Sequence, residues 1–303
     1  MEASKPHRTK RTKMSNKLKN LITRSITGVL FVAIMTVCFM TPEGMITIFA
    51  LITGLTVWEY TGLINAKDDV NVNRFISTAA GVYLFFAVAG FCSNITPAAV
   101  FIPYLLTTIY LFISELYTNS KNPINDWAYT MLSQMYIALP LASINVLAFR
   151  EMNGEIVFGS ILPFSVFICL WTNDTGAYCS GSLLGKHKLF PRISPGKTWE
   201  GSIGGGLLVV AVACLIGYIE NNCDIITPSH TSGLTIAQWA GLGLVVVFAG
   251  TWGDLVESLF KRTLGIKDSG NLLPGHGGML DRFDSSLMAI PAVVVYMYTL
   301  NMF

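Results

Sequence analysis

The sequence predicts an all-α, polytopic integral membrane protein with about nine transmembrane helices, its N-terminus inside and its C-terminus outside. Three observations carry that prediction. Nine separate stretches are long and apolar enough to cross a bilayer. Only 13% of the 303 residues are charged while 52% are hydrophobic, with a mean hydropathy of +0.55. The lysines and arginines, finally, fall in alternate loops almost without exception. A soluble domain is typically about 25% charged, so this chain has too little polar surface to cover a water-soluble particle of its mass. A soluble enzyme, a disordered chain and a coiled coil are excluded on that ground.

A span needs about 20 mostly apolar residues. The first stretch, 25–41, follows a basic arm, residues 1–24, that holds Lys5, Arg8, Lys10, Arg11, Lys13, Lys17, Lys19 and Arg24. The arm reads as the orientation signal of the first helix, with attraction to anionic lipid as a by-product, rather than as a nucleic-acid tail. No nucleic-acid partner is expected. The arm does not resemble a cleaved signal peptide, because the apolar stretch behind it is long and lacks a small-residue cleavage site. Met14 is a second candidate start.

Glu43 precedes the second stretch, 45–62, and Lys67 and Arg74 follow it. The third, 75–92, is short and rich in small residues. The fourth, 97–114, leads to Lys121, and the fifth, 127–149, carries Pro140, which a membrane helix tolerates. Arg150, Glu151 and Glu155 separate it from the sixth, 156–172, which contains Pro163. The seventh is 201–219, the eighth 234–253, with Glu220 and Asp224 between them. The ninth, 286–303, contains Pro291. Eight basic residues in the arm and eleven in alternate loops leave only Arg150 on the opposite side, which gives the N-in, C-out orientation. Residues 25–303 read as a single transmembrane domain.

The six cysteines, Cys38, Cys92, Cys169, Cys179, Cys214 and Cys223, show no metal or redox spacing and read as small core residues with free thiols. A Cys92–Cys223 disulfide is the alternative. No internal repeat stands out.

Two polar inner loops, 173–200 and 254–285, hold eight basic residues and seven of the eighteen acids: Asp174, Glu200, Asp254, Glu257, Asp268, Asp281 and Asp284. Glu59, near the inner end of the second helix, joins them only if the helices pack that way. At about 1.5 Å per residue the eighth stretch delivers Asp254 to the inner interface. Asp174 emerges there from the sixth stretch, and Asp281 and Asp284 stand just before the ninth. Asp254, Glu257, Ser258, Lys261 and Arg262 share one helical face if the eighth helix continues into its loop. Carboxylates there suit a hard cation shared with substrate phosphates, and Lys261 and Arg262 suit the remaining phosphate charge. An exposed helix end laced by ion pairs is the plain alternative.

In P-G-H-G-G, Gly275, Gly277 and Gly278 let backbone amides approach an anion, and His276 suits a phosphate donor or a proton carrier. Asp281 and Asp284 also suit a helix N-terminus, Asp284 the more so. S-P-G-K-T-W-E-G reads as a phosphate grip through Ser194, Lys197 and Thr198. It is not a Walker A loop, whose first glycine is replaced here by Pro191. Gly201, Gly204, Gly205 and Gly206 read as a close-packing surface of the seventh helix, which permits a homodimer without requiring one.

The segment from Ser258 to Asp284 resembles the signature of the phosphatidate cytidylyltransferases, or CDP-diacylglycerol synthases. Asp174 to Tyr178, Ser194 to Gly201, Trp58-Glu59-Tyr60 and Arg24 to Gly28 are similar to that family as well. The resemblance covers the chain from about Arg24 onward and is strongest in its C-terminal half. It implies that phosphatidate and CTP react to give CDP-diacylglycerol and pyrophosphate, with Mg²⁺ and room for a second, monovalent cation. It implies Asp254 and Asp281 as first-choice metal ligands, then Asp284 and Glu257. Ser194, Lys197, Lys261, Arg262, Lys267, His276 and Arg282 fall to phosphates as a group, with Asp174, Tyr178, Thr198, Gly277 and Gly278 in the substrate site. The membrane expected is the cell's inner, plasma membrane, with the site on its cytoplasmic side, so that CTP arrives from water and phosphatidate from lipid. A CTP-dependent polyprenol kinase is the nearest rival. A transporter is a weaker one, since its polar sites lie near the bilayer midplane.

Overall fold

A computed structural model describes residues 25–152, 154–222, 232–270, 272 and 277–302. The basic arm, Cys223, Asp224 and His276 lie outside the described residues. The architecture is helical, and each of the nine stretches marked out in the sequence contains a helix among the described residues. Six of these helices are long and apolar enough to cross a membrane.

Helix α1 spans Ser25–Cys38. Helix α2, Pro42–Ile64, starts where Thr41 Oγ1 accepts the Gly44 amide at 3.1 Å and Pro42 fixes the first turn. Helix α3, Arg74–Cys92, is capped the same way by Asn73. Helix α4, Ile102–Thr118, follows a 3₁₀ turn at Ala98–Phe101 and buries only Leu111. A helix with so much apolar surface uncovered is stable only against lipid. Helix α5, Pro123–Ala148, widens to a π turn at Ser133–Ala138 and packs that turn on α2 and α3.

Strands β1, Phe149–Met152, and β2, Glu155–Phe158, form an antiparallel hairpin around Gly154, at φ +84°. Helix α6 is Ile161–Leu184. A second hairpin joins β3, Lys188–Phe190, to β4, Ser194–Thr198, before α7, Trp199–Asn222. Helix α8, Ile236–Thr263, opens on a reciprocal capping box between Thr235 and Gln238. A single turn, α9, Leu280–Phe283, precedes α10, Ser286–Thr299.

Two sequence boundaries shift. The sixth stretch, expected over 156–172, begins as strand β2, and its helix starts at Ile161 and runs on through Asp174 to Leu184. The eighth helix does continue into its loop, to Thr263. The cysteines at 38, 92, 169, 179 and 214 are free thiols.

The core is apolar and aromatic. Phe49 meets Phe39, Phe167 and Phe283 at ring separations of 5.6, 5.5 and 6.2 Å, tying α2, α6 and α9 together. The glycines of α7 are spent within the subunit. A Cβ on Gly205 would stand 2.9 Å from the Asn173 carbonyl and the Ala177 amide, and one on Gly201 2.9 Å from the Ala177 carbonyl. Their absence lets the α7 backbone lie directly on α6, which fixes Asp174 and the β3–β4 hairpin relative to each other.

Candidate active site

Strand β4 carries Ser194, Lys197 and Thr198, but it uses them differently. Thr198 is buried, and its Oγ1 accepts the Gly201 amide at 3.1 Å, so it caps α7. Lys197 reaches across to α8 and pairs with Asp254, Nζ to Oδ2 2.5 Å. Glu200 closes the hairpin by accepting the amides of Lys186 and His187 and by meeting His187 Nδ1 at 2.5 Å. Arg262 Nε donates to the Ile193 carbonyl at 3.4 Å, tying the end of α8 to the same hairpin.

Along α8, the i, i+4 spacing brings Ser258 Oγ to Asp254 Oδ1 at 3.1 Å. Lys261 Nζ lies 2.6 Å from Glu257 Oε2 and 2.6 Å from Asp281 Oδ1. Glu257 is fully buried, and its contact with Lys261 is an ion pair without hydrogen-bond alignment; neither of its oxygens has a hydrogen-bond partner among the described residues. The Tyr60 and Tyr136 hydroxyls are buried without partners in the same sense. Tyr136 comes from the π turn of α5, a distortion that recurs at functional sites.

The glycine-rich segment is held by two carboxylates. Asp281 Oδ2 accepts the Ser269 and Gly278 amides, both at 2.9 Å. Glu59, from α2, accepts Met279 N at 2.9 Å, Leu280 N at 3.1 Å and the Ser269 hydroxyl. The helices therefore do pack so that Glu59 joins the loops. Gly277 sits at φ +83°, and a side chain on Gly278 would strike the Glu59 carboxylate. Burial opposes ionisation of Asp281, but the Lys261 ammonium and the two amides outweigh it and hold the carboxyl below its ordinary range.

A cavity of about 350 Å³ collects Asp174, Asp254, Asp281, Arg282 and Asp284 along one side. Its other walls are Thr27, Gly28, Phe31 and Val32 of α1 and Phe167, Leu170 and Trp171 of α6. Burial, and then the charge of Asp254, push the Asp284 carboxyl above its ordinary range. Glu257 lies behind this cavity as a counterion of Lys261. Tyr178 is 78% exposed and Lys267 is exposed, and neither lines it. Glu59, Ser269 and Tyr136 were not marked as site residues by the sequence. The position of Glu59 near the inner end of the second helix and the resemblance at Trp58-Glu59-Tyr60 both pointed toward the first of them.

Among the described residues, no three His, Cys, Asp or Glu side chains form a closed metal cage. A divalent ion of the Mg²⁺ type does not require one, since it takes one or two carboxylates and completes its shell with water and phosphate oxygens. The donors fit such an ion: Asp174, Asp254 and Asp284 offer hard oxygens to one cavity, and only Asp254 among them has a cationic ion-pair partner within reach.

The family profile described as the Cytidylyltransferase family matches residues 22–300. A phosphatidate cytidylyltransferase of Haemophilus influenzae is 31% identical over 275 residues, 87% of this chain and 93% of that one. One of Staphylococcus saprophyticus is 44% identical over 178 residues, 57% of this chain and 60% of its own length. One of Staphylococcus aureus strain COL is 40% identical over the same length, with the same coverage. With the profile running from the first helix to the last and a relative matched over most of both lengths, the chain belongs to the cytidylyltransferase family.

Proposed function

We propose that the chain transfers a cytidylyl group from CTP to phosphatidate, giving CDP-diacylglycerol and pyrophosphate. The observation that carries this reading is the cavity itself, where four carboxylates and Arg282 face apolar walls from α1 and α6. Such a cavity suits a reaction between a charged, water-borne nucleotide and a lipid whose reacting group is a phosphate.

A phosphate oxygen of the lipid forms the new bond to the α-phosphorus of CTP. The bond from that phosphorus to the β-bridging oxygen breaks, and pyrophosphate leaves with the electron pair. No covalent enzyme intermediate is needed. Lys197, held by Asp254, and Lys261, held by Glu257 and Asp281, are placed as fixed charges for the developing negative charge on the transferring and leaving groups. Ser194 adds a hydroxyl donor from β4. Asp281 and Glu59 hold Ser269 and the 278–280 turn in place by taking up the Ser269, Gly278, Met279 and Leu280 amides.

Mg²⁺, when bound, supplies charge neutralisation of the triphosphate. Asp254, with Asp281 or Asp284 beside it in the cavity, would hold the ion, and water and phosphate oxygens would complete its shell. The reading includes nine crossings, an N-in orientation and a site on the cytoplasmic side, supported by the distribution of Lys and Arg. Purified protein in detergent with Mg²⁺ and CTP should release pyrophosphate when phosphatidate is added and not when diacylglycerol replaces it. Release that ignores the lipid, or requires diacylglycerol, sinks the proposal.

A further inference from the structure

The cations assigned to phosphates as a group differ in what they already hold. Lys197 is paired with Asp254, and Lys261 is shared by Glu257 and Asp281. Arg262 donates to the backbone of the β3–β4 hairpin at Ile193, and Lys267 is exposed away from the cavity. Arg282 is different. It lines the cavity, and no hydrogen bond or ion pair of its guanidinium is formed among the described residues.

Arg282 shares its cavity with residues of two kinds. One kind is acidic and includes Asp254 of α8, which is paired with Lys197 of the β3–β4 hairpin. The other is Gly28, Phe31 and Val32 of α1, a helix that leaves Val29 69% and Leu30 56% exposed, as a lipid-facing helix does. A guanidinium in such a cavity has five donors in a rigid fork and remains charged at any working pH, which matches two oxygens of a phosphomonoester dianion.

We propose that Arg282 receives the phosphate of the lipid substrate, with its glycerol and first acyl carbons against Gly28, Phe31 and Val32, leaving the Lys197 and Lys261 side to the nucleotide triphosphate. This rests on the cytidylyltransferase reading above. It divides the cations of the site between the two substrates and makes Arg282 the residue that holds the attacking group.

Steady-state kinetics in mixed micelles, with phosphatidate and CTP varied independently, test it on Arg282→Ala, Arg282→Lys and, as a comparison, Lys121→Ala. Arg282→Ala should raise the KM for phosphatidate at least about tenfold, in keeping with loss of a charge-assisted pair, while the KM for CTP stays within about twofold. Arg282→Lys should recover part of that loss, because a point charge replaces the fork. Lys121→Ala, outside the cavity, should leave the phosphatidate KM unchanged. A rise in the CTP KM instead, or a fall in kcat with both KM values unchanged, overturns the assignment. If Arg282→Ala does not stay monodisperse in detergent, Arg282→Lys decides by the same ratio of KM changes. Wild-type protein without phosphatidate-dependent turnover would refute the cytidylyltransferase reading itself; an active wild type with an unaltered phosphatidate KM in both Arg282 variants would refute this inference alone.

Discussion

Asp254 and Asp281 bear the same group and line the same cavity, yet their surroundings give them different work. Asp281 is bonded on both oxygens, by Lys261 and by two backbone amides, and so shapes the glycine-rich segment as well as facing the cavity. Asp254 has a single lysine and a serine hydroxyl, and both can yield to a ligand. Asp254→Asn should therefore lower turnover by at least about a hundredfold while the protein keeps its size-exclusion profile. Near wild-type activity would remove Asp254 from the reaction. Glu59→Gln keeps the shape but turns an acceptor into a donor facing the Met279 and Leu280 amides, at a cost of about 1–3 kcal/mol. It should lower the unfolding midpoint and activity together, and a variant with unchanged midpoint and rate would show that Glu59 does not hold the loop. Asp254, Asp281, Asp284 and Arg282 could be read from sequence because scarce charge stands out in an apolar chain. The role of Glu59 could not, because its partners lie 210 to 221 residues away and only packing brings them together.

Among the elements, α6 and α7 position the site most directly, and they do so through backbone contact at the α7 glycines. Gly205→Val would force a side chain into the Asn173 carbonyl and Ala177 amide. Overpacking of this kind costs about 1–3 kcal/mol, so the variant should unfold in detergent at lower temperature than Gly206→Ala, whose added methyl meets only the Val247 side chain, at 3.2 Å. Equal midpoints would mean the helices are not in direct backbone contact. A helix in each apolar stretch was legible in sequence, and charged residues at i, i+4 spacing raised the continuation of α8 without deciding it. The extent of α6 was not. Asn173, Asp174 and Thr175 look like the start of a loop, but a helix carries such residues when they line a polar cavity inside the protein. The two hairpins were missed because strands of three to five residues leave no periodic signal.

For the whole molecule, the uneven placement of charge is what links orientation to chemistry. The proposed orientation puts nineteen basic residues on one side, and the acids Asp174, Asp254, Asp281 and Asp284 gather in one cavity. In a background lacking native cysteines, Lys186→Cys should react with an impermeant thiol reagent only from the inside and Asn222→Cys only from the outside. Labelling of both from one side would break the nine-crossing arrangement, whatever the enzyme's activity. Helix α10, at 14 residues, is about 21 Å long and shorter than the roughly 30 Å hydrocarbon core, so the proposed ninth crossing requires local thinning of the bilayer.

The central claim is that the α-phosphoryl group of the nucleotide, with its nucleoside, ends on a lipid phosphate. Purified protein given phosphatidate, Mg²⁺ and CTP labelled either at the α- or at the γ-phosphate tests it most directly. The account predicts that α-label enters the lipid fraction in equal amount to the pyrophosphate released, and that γ-label stays in water. Transfer of γ-label to lipid, as a kinase would give, or no lipid label of either kind from folded protein, would contradict it.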